Sequence, residues 1–325
     1  MKTKQWIAVS LVAFAMGAAI PGAQAQEYPA KPVRVISPFP AGNVNDTVVR
    51  MIGERFVQTT GQPWVYDYKA GAAGFIAAQA LTASPPDGYT ILLGTSGLMT
   101  INPHTFSKLP YDPLKDFVPI AQIIGSQMAF AAAGNVPSNS LAEFVAFAKA
   151  NPGKTNFASF TAGNPSHFAG VILNQLTGID MTHVPYNGSP PAVLALLGGQ
   201  VQTGFLPLIS VKQHIDAGKM KAYAITGAQR SPLLPNVPTF KELGFPKMEV
   251  YIWSGFVAPA GTPVAIVQKL NREISAALRV PEVQQKMRAS DLEPLPGTPE
   301  EFTRMIRIDF ERWEGAVKAS GFKSD

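Results

Sequence analysis

The chain has 325 residues, 46% of them hydrophobic and only 15% charged, with a formal net charge of +5, 29 prolines, 28 glycines and no cysteine. The missing cysteines exclude disulfides and thiolate metal sites. The mild charge, without a Lys/Arg cluster or a basic aromatic stripe, argues against a nucleic-acid partner.

The chain opens with Lys2 and Lys4, an apolar run from Trp6 to Ile20, the breaker pair Pro21-Gly22 and the small-residue site Ala23-Gln24-Ala25. This pattern predicts a secretory signal peptide over residues 1–25, and hence a product outside the cytoplasm. Without the two signal lysines the mature chain carries 25 basic against 22 acidic residues. About 300 mature residues exceed what one core usually holds, so two domains are expected.

Val33 to Ser37 reads as a strand that stops at Pro38 and Pro40, because proline lacks a ladder N–H and pushes its predecessor out of helical space. Ala41 and Gly42 follow, then Asn43, Asn45 and Asp46, any of which suits a helix cap; for Asp46 a cap is preferred over a ligand contact. Val48, Ile52 and Phe56 then recur at helical spacing up to Thr60-Gly61. A strand feeding an open loop and a helix N-terminus offers free N–H groups and the positive dipole end to an anion such as a carboxylate.

The alternation continues with a strand at Trp64 to Tyr68, a small-residue loop Gly71 to Gly74 and a helix from Phe75 to Ala83. The next strand, Thr90 to Leu93, runs into Gly94-Thr95-Ser96-Gly97. Such a β-α-β-α-β order places the loops, Thr95 and Ser96 included, at the ligand-binding edge of a parallel sheet. Residues 102–116 read as an ordered surface loop, and Val118 to Ile124 and Met128 to Ala133 as strands.

Helix and strand then alternate again: Ser140 to Ala150, Asn156 to Ser159, Ser166 to Leu176, Met181 to Val184, a helix ending at Leu197, Thr203 to Leu206, Val211 to Ala217 and Lys221 to Thr226. Tyr251 to Ala258 is expected to return to the first domain, with helices at Pro263 to Leu278, Pro281 to Ala289 and Pro299 to Lys318 after it. The last helix carries Phe302, Met305, Ile306, Phe310 and Trp313 on one stripe. One tripeptide occurs twice in the same setting: Ala41-Gly42-Asn43 and Ala162-Gly163-Asn164 each open a helix closed by Thr-Gly. Two such loops facing each other would hold a ligand with a carboxylate at each end.

At these residues the chain resembles the Bug family of periplasmic receptors, the substrate-binding proteins of the tripartite tricarboxylate transporters. The resemblance rests on Tyr28-Pro29-Ala30-Lys31-Pro32-Val33-Arg34, Pro38-Phe39-Pro40-Ala41-Gly42, Asp87-Gly88-Tyr89-Thr90, Val184-Pro185-Tyr186-Asn187-Gly188, Leu196 to Val201 and Ala258-Pro259-Ala260-Gly261-Thr262-Pro263, in that order. It implies an α/β, two-domain fold of the type II periplasmic-binding-protein kind, each domain a mostly parallel sheet flanked by helices, with the ligand in the cleft between them. Domain 1 would comprise residues 26–123 and 254–325, and domain 2 residues 124–253. By position, the first loop would hold a carboxylate with Phe39, Ala41, Gly42, Asn43 and Asp46, largely through backbone N–H groups. The second would contribute Thr161, Gly163, Asn164, Ser166 and His167, with Tyr186 and Asn187 nearby. The implied partners are a small carboxylate, the permease subunits and the external domain of a sensor kinase; the receptor would be a periplasmic monomer without a cofactor.

Two departures qualify the resemblance. Asn43 stands where relatives commonly have a second glycine, and its amide either donates to a ligand oxygen or serves the helix cap. Phe205-Leu206-Pro207 replaces a segment that often reads Phe-Asp-Asn, which disfavours a ligand with an amino group and favours a less polar body, such as an aromatic dicarboxylate. His167 suits either a carboxylate contact or a structural role, His183 and Trp253 structural roles, and Lys69 a solvated charge. The rival class is a periplasmic hydrolase acting on a carboxylate-containing ester or amide. It lacks support, because no serine stands in G-x-S-x-G and neither the four histidines nor the scattered acids have metal spacing.

Overall fold

The computed structural model describes residues 28–324, so the expected signal peptide lies outside the described residues. The first sheet-forming unit runs β1 (Val33–Ser37), α1 (Val44–Thr60), β2 (Trp64–Tyr68), α2 (Phe75–Thr82), β3 (Thr90–Thr95), α3 (Asn102–Thr105) and β4 (Phe117–Ser126). The second comprises β5 (Met128–Ala133), α4 (Leu141–Ala150), β6 (Asn156–Ser159), α5 (Pro165–Thr177), β7 (Thr182–Pro185), α6 (Ser189–Leu197), β8 (Thr203–Pro207), α7 (Leu208–Asp216) and β9 (Met220–Ile225). The chain returns through β10 (Ile252–Pro259), α8 (Val264–Leu278), α9 (Pro281–Ala289), β11 (Glu293–Pro294) and α10 (Pro299–Ser320).

These elements build two mixed sheets, ordered β11-β4-β10-β3-β1-β2 and β7-β6-β8-β5-β9. The expectation of mostly parallel sheets holds for one half of each, where β1 pairs in parallel with β2 and β3, and β6 with β7 and β8. The other halves are antiparallel because the crossing strands enter there: β10 runs against β3 and β4, and β5 against β8 and β9. The change of sheet falls at Gln127, between β4 and β5.

Apolar residues cover both faces of each sheet. Val35, Ile52, Phe56 and Leu270 lie on one face of the first, and Ile36, Leu92, Trp253 and Phe302 on the other. Helix α10 belongs to both halves of the molecule, burying Phe302 and Ile306 with the first sheet and Trp313, Ala316 and Val317 with the second. Between them the buried position is taken by Asp309, at 3% exposure, while the expected Phe310 is only half-buried. Its carboxylate is surrounded by donors. Oδ2 accepts from Trp253 Nε1 at 2.8 Å, Trp313 Nε1 at 2.8 Å and Thr100 Oγ1 at 3.1 Å, and Oδ1 from Arg312 at 3.0 Å.

Residues 106–116 keep the expected loop, with Lys108, Leu114 and Lys115 exposed, but 102–105 form α3, and Asn102, Thr105 and Tyr111 are buried. A wide helical turn over Gly97–Ile101 leads into α3, and Leu98, Met99, Ile101 and Tyr111 are buried. Asn102 and Tyr111 turn inward because their polar atoms find partners there: Tyr111 donates to Leu98 O at 2.7 Å and Asn102 Nδ2 to Ala73 O at 2.9 Å.

Candidate functional site

The two repeated tripeptides occupy equivalent places, each at the C-terminal end of a strand that has parallel neighbours on both sides. The last residue of each strand is a serine that closes the loop onto the carbonyl two residues ahead: Ser37 Oγ donates to Phe39 O at 3.3 Å and Ser159 Oγ to Thr161 O at 3.0 Å. Each loop then turns at a glycine in the left-handed region, Gly42 at φ +81° and Gly163 at φ +72°. Each helix is capped by the following asparagine. Asn43 Oδ1 accepts from the N–H groups of Asn45 and Asp46 at 2.9 and 3.2 Å, and Asn164 Oδ1 from those of Ser166 and His167 at 3.0 and 3.2 Å. The third residue of each helix receives the glycine N–H: Gly42 donates to Asp46 Oδ2 at 2.9 Å, and Gly163 to His167 Nδ1 at 3.3 Å.

This arrangement corrects one expectation. Asp46 is not the N-cap of α1; Asn43 is, because its shorter reach to the first-turn N–H groups leaves Asp46 free to fold back on Gly42. Asp46 is 6% exposed and also accepts from Tyr68 at 2.7 Å and from Arg50 Nε at 3.1 Å. Burial works against its charge, but the Gly42 N–H, the Tyr68 hydroxyl and the Arg50 guanidinium together hold its carboxyl below the usual range. The side-chain amide of Asn43 donates to Pro40 O, so both ends of that side chain serve the loop itself.

Both loops keep free donors. Among the described residues, the N–H groups of Ala41 and Asn43 in the first loop, and of Thr161, Ala162 and Asn164 in the second, have no hydrogen-bond partner. Each set stands at the positive end of a long helix, α1 of 17 residues and α5 of 13. Gly42, Gly163 and Asp46 instead set the shape of the loops.

Other candidates divide between the two loops. Thr95 ends β3 opposite Ser254 of β10, whose hydroxyl donates to Asn45 Oδ1 at 3.4 Å, so β10 reaches the start of α1 beside the end of β3. Thr95 Oγ1 caps Leu98 N–H at 3.1 Å, and Ser96 is buried with its carbonyl accepting from Thr100. Phe39 is half-buried against the first core. Near the second loop, Tyr186 N–H donates to Ser159 O at 2.9 Å and Gly188 N–H to Phe160 O at 2.8 Å, pinning that turn beside the loop and leaving Asn187 exposed. Ser166 Oγ donates to Asn164 Oδ1 at 2.7 Å and accepts from Phe160 N–H at 3.2 Å, so it too works inside the loop. Among the described residues no hydrogen bond or ring contact links the first loop to the second.

Sequence reasoning passed over two contributors to the first loop, while His183 takes the structural role expected of it. Arg50 and Tyr68 fix Asp46; only the i,i+4 spacing of Asp46 and Arg50 was a signal. His183 stacks on His167 and bonds Ser159 Oγ through Nε2 at 2.7 Å, a contact between separate strands that no local pattern announces. Ser159 is completely buried, which withholds this serine–histidine pair from any substrate. Lys69 pairs with Asp67 at 3.6 Å, and Trp253 is buried, as its structural role required. Among the described residues no three His, Cys, Asp or Glu side chains group as metal ligands, and no helix is long and apolar enough to cross a membrane.

Comparison with known proteins identifies the family and the fold. Residues 48–322 match the model of the tripartite tricarboxylate transporter family receptor. The chain is 34% identical over 300 residues to the protein BugT of Bordetella pertussis, covering 92% of each. Among solved structures it is similar to R. palustris Rpa4515 with adipate, at 31% identity and TM-score 0.74, over 91% of this chain and 99% of that one. It is also similar to MatC from Rhodopseudomonas palustris with bound malate, at 34% identity and TM-score 0.69, over 89% of this chain and 100% of that one.

Proposed function

This chain belongs to the tripartite tricarboxylate transporter receptor family, and from that premise we propose that it is an exported receptor of the periplasm that captures a small dicarboxylate, aliphatic or aromatic, and delivers it to a membrane permease of the tripartite tricarboxylate type. The family and its solved members are solute receptors rather than enzymes. The observation that carries the reading is the pair of equivalent loops, each with unpartnered N–H groups at a helix N-terminus. An acid group at each loop would satisfy those donors, and a ligand touching both would favour the closed arrangement of the two domains. The domain division near residues 123 and 254 is supported by the change of sheet at Gln127 and the return through β10.

A dicarboxylate body without an amino group agrees with Phe205-Leu206-Pro207, which brings no carboxylate to the end of β8. The similar structures holding adipate and malate support an acid of this size. Export is supported by the N-terminal sequence from Lys2 to Ala25.

Calorimetry against adipate, malate, terephthalate and their neutral diamides tests the proposal. Binding of at least one acid and of none of the diamides is expected; failure of every acid in a wider carboxylate panel would overturn it. Mass spectrometry of the bound acid and its methyl ester after hours of incubation is expected to find both unchanged.

A further inference from the structure

The two equivalent loops are not supported in the same way. Behind the first there is open space: a Cβ at Gly42 would meet nothing within 4 Å. Behind the second stands an aromatic ring, and a Cβ at Gly163 would lie 2.7 Å from Phe322 Cε1 and 3.6 Å from Ser324 Oγ. Phe322 comes from the segment after α10, which ends at Gly321 with φ +64° and turns back on itself, Phe322 N–H donating to Ser320 Oγ at 3.1 Å. The ring stands edge-on to His167, with centroids 5.3 Å apart, and to Phe168 at 6.1 Å. Two residues later Ser324 N–H donates to Thr105 O at 2.8 Å, and Lys323 Nζ reaches His104 O at 3.4 Å. His104 and Thr105 belong to α3, on the first half of the chain.

We propose that Phe322 is a positioning residue for the second loop: its ring presses on the Gly163 turn and on His167, the acceptor of the Gly163 N–H, while the Ser324–Thr105 bond ties the same segment to the first domain. The inference rests on the reading of the second loop as one of the two acid-holding loops. The ring touches the side chain and the turn that aim the N–H groups of Thr161, Ala162 and Asn164, so it governs how well those donors are organised without meeting a ligand. The first loop has a different support, the Asp46–Arg50–Tyr68 cluster, and is independent of it. A ring that only filled the core would be felt equally throughout the second half of the molecule.

Amide hydrogen exchange on the unliganded protein separates the two cases. In Phe322→Ala, exchange at Gly163, Ser166 and His167, whose N–H groups are bonded within the second loop, is expected to quicken by about ten-fold, with the equivalent Gly42, Asn45 and Asp46 unchanged and with strands β5 and β8 still protected. Phe322→Leu, which restores apolar bulk, is expected to recover most of the protection. Adipate affinity measured by calorimetry is expected to fall in Phe322→Ala and return in Phe322→Leu. The effects of Gly163→Ala and Phe322→Ala are expected to be coupled, because removing the ring removes the clash, whereas Gly42→Ala and Phe322→Ala should add. Unchanged exchange at the second loop, or an equal rise across β5, β8 and the loop, overturns the proposal. A wild-type protein that binds no acid overturns the receptor reading, while the exchange pattern still decides the role of Phe322.

Discussion

The imidazole rings of His167 and His183 stack face to face, with centroids 3.7 Å apart and planes 12° from parallel. His167 Nδ1 accepts from Gly163 N–H, so its ring proton is on Nε2 when neutral. Burial pushes His167 down to about 3, with the neighbouring His183 adding to the effect, and burial pushes His183 down to about 4. The unfolded chain therefore binds protons below pH ~6.5 that the folded chain refuses, and stability is lost as pH falls from there toward the folded values. At pH 5 the loss from His167 alone is about 2 kcal/mol. Thermal melting from pH 7 to 5 is expected to fall steeply in the wild type and less in His167→Asn; equal slopes would refute the role of the pair.

Asp46 holds three donors in a nearly buried place. Asp46→Ala leaves the Gly42 N–H and the Tyr68 hydroxyl without their acceptor, at a cost of about 1–3 kcal/mol in urea unfolding. Tyr68→Phe removes one donor and is expected to cost less. Acid affinity should fall with Asp46→Ala even where the protein stays folded, because the turn at Gly42 loosens.

Asn43 serves its own loop with both ends of its side chain. Asn43→Ala is expected to cost about 1 kcal/mol of stability, and Asn43→Gly a few tenths, the usual pattern at an N-cap. Calorimetry on Asn43→Gly should find acid affinity within about two-fold of the wild type, since glycine keeps the backbone N–H and loses only a cap. A large loss would identify the amide as a ligand donor.

Asp291 adopts φ +60° between α9 and β11, and its Oδ2 accepts from the N–H of Ile209, at the start of α7 on the second sheet's side, at 3.3 Å. Burial pushes its carboxyl up to about 6, against the hydrogen bonds from Ile209 and Leu208. A raised carboxyl destabilises the fold as pH climbs from about 4 through 6, because the unfolded chain ionises first. Asp291→Asn keeps the acceptor, tolerates the left-handed backbone and cannot ionise. It is expected to raise the melting temperature at pH 8 and to leave it nearly unchanged at pH 4; a variant no more stable at pH 8 would contradict this.

Asp309, midway along α10, ties that helix to β10 through Trp253 and to the turn over Gly97–Ile101 through Thr100, and also accepts from Trp313 one turn further along. Asp309→Ala orphans those donors and the Arg312 charge in a buried place, and is expected to cost about 3–5 kcal/mol. Tryptophan fluorescence should shift together with the loss of stability, since both indoles lose their acceptor.

Composition and order along the chain determined much of this protein. Alternating helix and strand signals, the absence of cysteine, the Ala-Gly-Asn repeat and the strand bounds at Trp64–Tyr68, Met128–Ala133 and Asn156–Ser159 follow from local preferences, which neighbouring residues along the chain fix among themselves. The asparagine caps were within reach of the same reasoning, and choosing between Asn43 and Asp46 needed only the knowledge that Asp46 has Tyr68 to hold it. That knowledge is tertiary. Which N–H groups stay unpartnered, which carboxylate is buried, why Asn102 and Tyr111 turn inward and why His183 lies on His167 all depend on atoms brought together from distant segments. Sequence spacing carries the periodicity of a helix or a strand, but the satisfaction of a buried polar group depends on three-dimensional neighbours. The two Ala-Gly-Asn loops look alike in the sequence; only packing made one rest on a carboxylate and the other on a histidine and Phe322.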